Sequence, residues 1–412
     1  MAEYRIPLAQ DTIGREDLEA LADWLRSAPR ITKGPLCEAF EERFARWQGC
    51  PKAHFVNSGS SANLLAISAL QVGGPLRPGD RVIAPAISWT TTVAPITQLN
   101  CVPVLCDAEA DTLGMDVDRL EHLARTTGAK AVIVCHVLGI PNRMEEIVAV
   151  CERHGMVLIE DCCEALGSEY RGVRVGNFGS LSTFSFYFGH HMSTIEGGMI
   201  CARSKEHSNI IRSIRSHGWN RDLDADVVVE LRRRHGVDPF TDKYTFYHPG
   251  FNFRCTDLHA FLGLRQLERL GEVLERRRQL WDEYARCMAG AAWRPAPPLD
   301  SRVAGFAWPL LSPDRSALAA RLEADGVETR PLVSASRPGR WSAARSAGSR
   351  GSSSATVPSR WPWPTSSTRT ASTCPSTRAW PSTRSPRSRG AASRPAAVPC
   401  AARCRRRRRT RG

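Results

Sequence analysis

The sequence lacks the features that mark secreted, membrane-spanning and zinc-binding proteins. Its 14 cysteines include no Cys-x-x-Cys pair, so we expect no metal site. No apolar run approaches the roughly 20 residues that span a membrane, and the first residues, MAEYRIPLAQ, lack the apolar segment of a signal peptide. We therefore expect a soluble, cytoplasmic protein with no membrane partner, in which free cysteines act as small buried hydrophobes.

Acidic side chains are missing from one part of the chain. Residues 333–412 contain 18 Arg but no Lys, Asp or Glu. Residues 1–332 therefore hold 56 − 18 = 38 basic side chains against all 42 acidic ones, a net charge of −4. The formal charge of +14 belongs to the tail. The main body has no basic surplus of the kind that favours nucleic acid, so no nucleic-acid partner is expected.

The tail itself is unusual in composition. It also lacks His, Asn, Gln, Ile, Met, Phe and Tyr. A disordered basic tail that binds nucleic acid is one interpretation. The interpretation we favour is a frameshift in a GC-rich gene, because residues 367–379 can be reread one frame over as HAHGLYLPVHPG. A chain with such an ending would lack part of its C-terminal core, which puts its activity at risk.

Apolar strands alternate with helical segments over the first two thirds of the chain. The predicted strands cover residues 81–86, 102–106, 131–137 and 156–159. The predicted helices cover residues 16–26, 90–99, 204–216 and 316–325, with a longer one beginning near residue 257. Residues 221–237 are predicted as a charged connection. This order indicates an α/β fold with a mainly parallel sheet, in which ligands bind at the carboxyl ends of the strands.

A turn of small residues offers a candidate anion site. Ser58, Gly59 and Ser60 follow a short apolar strand and precede an amphipathic helix. The first N–H groups of a helix have no partner within the helix, and its dipole is positive at this end. A phosphate is the natural ligand of such a turn, although many similar turns only cap a helix.

Eight short motifs occur in an order that resembles one known family. They are GPLCEAFEERFA, NSGSSA, PAISWTTTVAP, IEDCCEALGS, STFSFYFGHHMSTIEGGM, RSHGW, GFNFRCTD and VETRP. Together they resemble the DegT/DnrJ/EryC1/StrS sugar-nucleotide aminotransferases. The resemblance implies the type I pyridoxal-phosphate (PLP) transferase fold, as a homodimer with active sites between subunits. We expect a large cofactor-binding domain over residues 1–250, the start of a small domain over 251–332, and an aberrant tail over 333–412.

The resemblance assigns four residues to the cofactor phosphate. Gly59, Ser60 and Ser185 would bind it from one subunit, and Asn252 would reach it from the partner subunit.

Four more residues would surround the cofactor ring or the substrate. Trp89 would stack on the pyridine ring, and Asp161 would face the ring nitrogen and keep it protonated. Glu164 falls where relatives commonly have Gln beside the ring hydroxyl. Arg330, in VETRP, would contact the substrate.

One position departs from the aminotransferase pattern. The family carries its cofactor lysine six residues before the acidic position of the EGG motif, and counting back from Glu196 gives His190. Histidine forms no stable Schiff base but acts as an acid or base near neutral pH. The pattern resembles the 3-dehydratases of nucleotide-linked 4-keto-6-deoxyhexoses, which use pyridoxamine phosphate (PMP). His190 would be the base that removes a proton from cofactor C4′. His217 is a second candidate, and His191 a weaker one.

Two branches of these dehydratases differ in a cysteine motif after RSHGW. Residues 221–247 contain no cysteine, so we expect the branch without an iron–sulfur cluster, in which glutamate regenerates the amino cofactor. Two alternatives stay open. One is a sugar aminotransferase using another lysine, of which Lys205 is the nearest downstream. The other is a non-catalytic relative that keeps the fold.

Overall fold

The structure is a computed structural model that describes residues 4–332. The predictions about the tail at residues 333–412 therefore lie outside the described residues. The helices are α1 (Arg15–Arg26), α2 (Pro35–Gln48), α3 (Gly59–Val72), α4 (Thr90–Gln98), α5 (Val117–Thr127), α6 (Met144–His154), α7 (Lys205–Ile214), α8 (Ala225–His235), α9 (Asp257–Cys287) and α10 (Arg315–Ala324). The strands are β1 (Lys52–Val56), β2 (Arg81–Pro85), β3 (Val102–Cys106), β4 (Ala131–Cys135), β5 (Val157–Asp161), β6 (Glu169–Tyr170), β7 (Val173–Arg174), β8 (Leu181–Ser185), β9 (Gly198–Ala202) and β10 (Ser301–Arg302).

Seven strands form one central sheet in the order β1-β9-β8-β5-β4-β2-β3. The pairs β2–β3, β2–β4, β4–β5 and β5–β8 are parallel, whereas β9 runs antiparallel to both β1 and β8. The α/β class predicted from the sequence is therefore confirmed, with one reversed strand. Because six strands point the same way, their carboxyl ends meet at one edge of the sheet, where ligands bind in such folds.

The sequence predicted most elements to within two residues and missed others. The expected strand at residues 102–106 and the long helix from residue 257 are both present. The charged connection expected over residues 221–237 is wrong, because α8 occupies Ala225–His235 there. This helix has no fully buried residue, and its apolar face is limited to the half-buried Val227, Val228 and Leu231. Such a short face gives a weak helical pattern in the sequence.

An aromatic cluster joins the sheet to the helices on one of its faces. Phe40 and Phe44 of α2 are fully buried against Phe55, Phe184 and Phe186. The rings of Phe40 and Phe55 meet edge to face with centroids 4.9 Å apart. Burying a phenylalanine stabilises a fold by about 1.5–3 kcal/mol, so this cluster fixes α2 on the sheet.

Two buried carboxylates tie α9 to earlier helices. Asp257 accepts hydrogen bonds from the N–H groups of Gly34 (2.8 Å), Leu36 (3.3 Å) and Cys37 (3.0 Å), and thereby caps the start of α2. Asp17 of α1 is fully buried and contacts Arg265 and Arg269 of α9.

No helix among the described residues is long and apolar enough to cross a membrane. The predicted boundary between a large and a small domain at residue 250 stays a prediction.

The Asp17 ion pairs give a testable stability difference. Burial alone would raise the pKa of Asp17, but hydrogen bonds from Arg269 and Arg265 lower it. We expect Asp17→Asn to reduce the free energy of unfolding by about 2 kcal/mol at pH 7. Because the folded-state pKa is lowered, this difference should shrink as the pH falls through that pKa.

The control is Asp23→Asn, which removes an exposed carboxylate that pairs with Arg26 on the same helix. Urea denaturation of both variants measures the effect. An equal decrease in the free energy of unfolding in the two variants would show that the buried contact of Asp17 with α9 does not stabilise the fold.

Candidate functional site

The carboxyl end of β5 carries a buried carboxylate that three neighbouring segments bind. Asp161 is 2% exposed. Its Oδ2 accepts hydrogen bonds from Asn63 Nδ2 of α3 (2.8 Å) and Thr92 Oγ1 of α4 (2.7 Å), and its Oδ1 accepts the N–H of Cys163 (3.1 Å). These partners leave the carboxylate fixed at the sheet edge, because all of them lie on rigid elements.

Three backbone segments meet beside this carboxylate. A Cβ added at Gly59 would lie 2.7 Å from Cβ of Ser185 and 2.9 Å from Sγ of Cys163. A Cβ added at Gly198 would lie 2.4 Å from the carbonyl oxygen of Ser58. Glycine is therefore required at both positions so that the start of α3 can approach the end of β8 and the start of β9. The approach places the Ser185 side chain beside the turn at the helix start.

This arrangement fits the phosphate and ring of the cofactor that the family resemblance implies. The turn presents the N-terminal end of α3, where backbone N–H groups and the helix dipole attract an anion. Two hydroxyl groups, those of Ser60 and Ser185, border it, and the Ser60 hydroxyl lies 3.1 Å from Thr91 Oγ1 of α4. Trp89 directly precedes α4 and is 52% exposed, so its indole face is free for stacking. Asp161 supplies the carboxylate that a pyridinium nitrogen needs.

His190 is held as a neutral imidazole with a free nitrogen. Its Nδ1 lies 2.8 Å from the carbonyl oxygen of Cys163. A carbonyl only accepts, so Nδ1 carries the proton and Nε2 presents a lone pair. Burial lowers the pKa of His190 from 6.5 to about 4, more than the contact with Cys163 raises it. At pH 7 the side chain is therefore a deprotonated base.

Phe306 packs against both adjacent histidines, which have different surroundings. Its ring centroid lies 5.0 Å from that of His190 and 6.1 Å from that of His191. His191 is fully buried and its Nε2 lies 2.8 Å from the carbonyl oxygen of Ala304. Burial lowers the pKa of His191 far below its usual value. His191 therefore fixes the segment after β10, and its weaker standing as a catalytic candidate agrees with this position.

Glu164 and Arg330 lie together near Phe306. Arg330 Nη2 is 3.8 Å from Glu164 Oε1, and its guanidinium carbon is 5.6 Å from the Phe306 ring centroid. Glu164 Oε2 accepts the N–H of Leu138 at 2.8 Å. Burial raises the pKa of Glu164, and the Leu138 N–H and Arg330 oppose this only in part. Glu164 thus holds a proton to higher pH than an exposed glutamate.

His217 and Asn252 lie together, joined by an arginine. Arg254 donates from Nε to Asn252 Oδ1 (3.2 Å), and its Nη2 lies 3.2 Å from His217 Nε2. Because arginine only donates, His217 Nε2 accepts and the ring proton is on Nδ1. The N–H of Asn57, beside the phosphate-binding turn, donates to Phe253 O (3.0 Å). The segment carrying Asn252 therefore flanks the turn.

The chain leaves this segment at Gly218 and returns to it at Gly250, where the two backbone stretches are in close contact. We call this close contact the neck. Gly218 has φ +82°, and a Cβ there would lie 1.7 Å from the carbonyl oxygen of His248. A Cβ at Gly250 would lie 2.1 Å from the nitrogen of Gly218. Residues 219–247 between them contain α8. The neck sets the position of His217, whose own φ is +65°.

Comparison with known proteins identifies the family. A profile of the DegT/DnrJ/EryC1/StrS aminotransferase family matches residues 11–344, which is most of the chain. The chain belongs to the DegT/DnrJ/EryC1/StrS family. Proteins of this family and the solved structures similar to this chain bind PLP or PMP.

Two relatives of this family member are sugar-nucleotide dehydratases. It is 40% identical over 273 residues to dTDP-4-dehydro-2,6-dideoxy-D-glucose 3-dehydratase of Saccharopolyspora spinosa, covering 63% of this chain and 58% of that protein. It is 31% identical over 334 residues to GDP-4-keto-6-deoxy-D-mannose 3-dehydratase of Yersinia pseudotuberculosis, covering 79% of this chain and 84% of that protein. The chain thus spans little more than half of the first relative.

Solved structures agree with the family and the fold. The E. coli GDP-4-keto-6-deoxy-D-mannose-3-dehydratase with bound hydrated PLP has a TM-score of 0.73 at 29% identity, covering 81% of this chain and 86% of that chain. A GDP-4-keto-6-deoxymannose-3-dehydratase with a trapped PLP–glutamate geminal diamine has a TM-score of 0.71 at 29% identity, covering 80% and 86%.

Several residues of the family member's site were not found by sequence reasoning. They are Asn63, Thr92, Cys163, Arg254 and Phe306. The first four lie inside or beside the recognised motifs, so the motifs could have indicated them. Phe306 had no such signal, because its contact with His190 depends on how the chain returns after α9.

A buried cluster of possible metal ligands has another explanation in this fold. Ligand atoms of His136, Glu160 and Cys162 lie within 4.8 Å of one another. Glu160 already accepts three backbone N–H groups, from Gly176 (2.7 Å), Phe178 (2.7 Å) and Gly179 (2.6 Å), and its Oε2 lies 3.2 Å from His136 Nε2. The carboxylate therefore anchors the loop before β8.

The lowered pKa of His190 can be measured directly. We expect its imidazole to titrate near pH 4 in the folded chain, because burial opposes protonation. Nuclear magnetic resonance of ring-labelled histidine follows the titration, and the resonance absent from a His190→Gln variant assigns it. His122→Gln, at an exposed position of α5, is the matched control for the assignment. Titration of His190 near its ordinary value of 6.5 would contradict the buried environment.

The neck at Gly218 is open to a second test. Gly218→Ala should lower the free energy of unfolding by about 2–3 kcal/mol, because the new Cβ meets the His248 carbonyl and the φ is positive. Gly271→Ala is the control, since a Cβ there meets nothing within 4 Å. It should leave stability unchanged or raise it by up to about 1 kcal/mol. Similar urea midpoints for the two variants would mean that the neck is not constrained.

Proposed function

We propose that this chain is a PMP/PLP-dependent 3-dehydratase of a nucleotide-linked 4-keto-6-deoxyhexose, acting in deoxysugar biosynthesis without an iron–sulfur cluster. The observation that carries the proposal is His190, which stands where the motif has its cofactor lysine and whose Nδ1 is bonded to the carbonyl oxygen of Cys163, two residues after Asp161, so that Nε2 keeps its lone pair. The family assignment and the names of the similar dehydratases support it.

The net reaction balances with glutamate as the amino donor. The sugar loses its C3 oxygen and becomes a 3-deoxy-4-keto sugar, while glutamate is oxidised to 2-oxoglutarate and releases ammonia. When bound, the cofactor supplies an amine that condenses with the C4 ketone and a ring that accepts electrons. The bound glutamate adduct in one similar structure supports glutamate as donor.

Each proposed residue has a role that follows from its surroundings. His190 Nε2 takes a proton from cofactor C4′, since its pKa of about 4 keeps it unprotonated at neutral pH. Asp161 keeps the ring nitrogen protonated, and the hydrogen bonds from Asn63 and Thr92 fix its orientation. Trp89 covers the ring face. No lysine of this motif can bind the cofactor covalently, because residues 182–199 contain none.

The phosphate and the substrate complete the proposal. Gly59, Ser60 and Ser185 would bind the phosphate at the start of α3, and Asn252 would reach it from the partner subunit of a homodimer. His217 Nδ1–H is the candidate donor toward the departing C3 hydroxyl. Glu164 would lie beside the ring hydroxyl and Arg330 would contact the substrate.

The aminotransferase alternative finds little support at Lys205. This lysine lies at the start of α7, is 62% exposed, and its Nζ lies 2.9 Å from Asp226 and 3.7 Å from Asp224. The ion pairs raise its pKa, which opposes the deprotonated amine that Schiff-base formation requires. A non-catalytic relative would have no need of the unprotonated imidazole that His190 presents at the lysine position of the motif.

The proposal predicts a product and a dependence on His190. Full-length protein with PLP, glutamate and a GDP- or dTDP-linked 4-keto-6-deoxyhexose should form a 3-deoxy sugar, 2-oxoglutarate and ammonia, detected by mass spectrometry and a coupled assay. His190→Asn should lower turnover at least about 100-fold, because the general base is lost. His122→Asn, at an exposed position, should keep the rate. An amino sugar as product would favour the aminotransferase, and no turnover with either nucleotide would favour the non-catalytic relative.

A further inference from the structure

The imidazole of His190 is held by one hydrogen bond and by one aromatic ring. Within residues 4–332, its hydrogen-bond partner is the carbonyl oxygen of Cys163 alone, 2.8 Å from Nδ1. A single hydrogen bond leaves a ring free to pivot about the line that joins donor and acceptor. The Phe306 ring restricts this pivot, because its centroid lies 5.0 Å from that of His190 and the two planes are inclined by 42°. The direction of the Nε2 lone pair therefore depends on Phe306.

The backbone that carries this ring is anchored to the segments that follow β4 and β5. We call residues 304–306 the Phe306 segment. The Phe306 N–H donates to the carbonyl oxygen of Leu138 (2.9 Å). The Ala304 N–H donates to Ser168 Oγ (3.0 Å). The Phe306 segment is therefore tied to the edge of the central sheet at which the parallel strands end.

Two side chains donate to the carbonyl groups of the Phe306 segment. His191 Nε2 lies 2.8 Å from Ala304 O, and Arg277 Nη1 of α9 lies 2.9 Å from Gly305 O. Among the residues that the structure describes, no carboxylate forms an ion pair with Arg277, so its guanidinium serves this backbone contact. The Phe306 segment is thus bonded from four separate parts of the chain.

One of the anchors is a residue in an unusual conformation. Leu138 has φ +54°, in the left-handed region that residues other than glycine rarely adopt. Its N–H donates to Glu164 Oε2 (2.8 Å), while its carbonyl accepts the Phe306 N–H. Strained conformations persist where surrounding contacts over-determine them, and they cluster at functional sites. The strain at Leu138 therefore points to a requirement that Phe306 lie at one fixed position.

We propose that Phe306 is the positioning residue of His190, whose ring keeps the Nε2 lone pair aimed at the proton that the base removes; this inference rests on the proposed function for the identity of that base. Phe306 has no group that exchanges a proton, so it acts through His190. A misplacement of about 1 Å in a catalytic group costs on the order of 100-fold in rate. A side chain that is locked by packing avoids this loss.

The pKa of His190 depends on the same contact. Four titratable groups from neighbouring parts of the chain act on the imidazole: Asp161, His191, Arg277 and Arg330. The carboxylate raises the pKa of His190 and the two arginines lower it, but burial is the largest cause of the lowered value. Removal of the Phe306 ring leaves these four groups in the chain and admits water to the imidazole. The pKa of His190 should then rise.

Ring-labelled histidine in the full-length protein tests the proposal without cofactor or turnover. Nitrogen magnetic resonance of the wild type should show His190 as the Nδ1–H tautomer. Phe306→Leu should bring the two nitrogen shifts of His190 closer together, because the ring then samples both tautomers. It should also raise the pKa of His190 from about 4 toward 6.5. Phe306→Tyr, which keeps a flat ring, should restore the wild-type shifts and pKa.

Turnover supplies a second measurement. Phe306→Leu should lower kcat for formation of the 3-deoxy sugar about 10-fold, because the base is less well aimed, and should change KM for the sugar nucleotide less than kcat. Phe306→Tyr should recover most of the rate.

The control variant is Phe178→Leu, which removes a phenylalanine that is likewise half-buried but packs against Tyr170 in another cluster. It should leave the His190 resonances and kcat unchanged. Thermal unfolding shows whether each variant is folded. Phe306→Met, which has an unbranched side chain in place of the flat ring, takes the place of Phe306→Leu if that variant unfolds.

Each outcome separates this inference from the proposed function. Altered His190 resonances in Phe306→Leu, with no 3-deoxy product from the wild type, would support the contact assigned to Phe306 and contradict the dehydratase. Wild-type resonances and pKa of His190 in a folded Phe306→Leu variant would overturn the inference, whatever product the wild type forms. Altered resonances with an unchanged kcat would also overturn it, because the direction of the imidazole would then not matter to the reaction.

Discussion

The hydrogen bonds around Asp161 are the constraint on which the candidate site depends. One carboxylate at the end of β5 receives donors from α3, from α4 and from the backbone of Cys163. Each of these elements also carries another part of the candidate site: α3 begins at the turn of Ser58, Gly59 and Ser60, α4 follows Trp89, and Cys163 offers its carbonyl to His190. A buried carboxylate without partners would be costly, so these contacts are required for the fold as well as for chemistry at the sheet edge.

The single bond from His190 to Cys163 sets the tautomer of the base in the proposed function. It puts the ring proton on Nδ1 and leaves a lone pair on Nε2, and burial keeps the ring neutral. A lysine at this position would be tethered to the cofactor. Under the proposed function, the histidine would instead leave the cofactor free to exchange and would supply a base that stays neutral between pH 5 and 8. The proposal therefore retains the surroundings of an aminotransferase and changes the reaction class.

Sequence reasoning gave the sheet and most helices. It also predicted that Asp161 follows a strand and that Gly59 lies at a helix start, and motif spacing placed His190 at the lysine position. It did not give α8, whose apolar face is short and only half-buried. Nor could it give the contact of Phe306 with His190, or the joining of His217 and Asn252 by Arg254. Those contacts are set by where the chain returns after long excursions, through the neck at residue 218 and after α9. The tautomers of the two histidines likewise follow from contacts that are distant in sequence.

The exchange of lysine for histidine at one position is the central claim, and replacing His190 by lysine tests it most directly. His190→Lys in the full-length protein, incubated with PLP, glutamate and the 4-keto sugar nucleotide, should form an internal aldimine that borohydride reduces. The variant should produce an amino sugar and lose dehydration. Continued formation of the 3-deoxy sugar at the wild-type rate, with no reducible aldimine, would contradict the role assigned to this side chain.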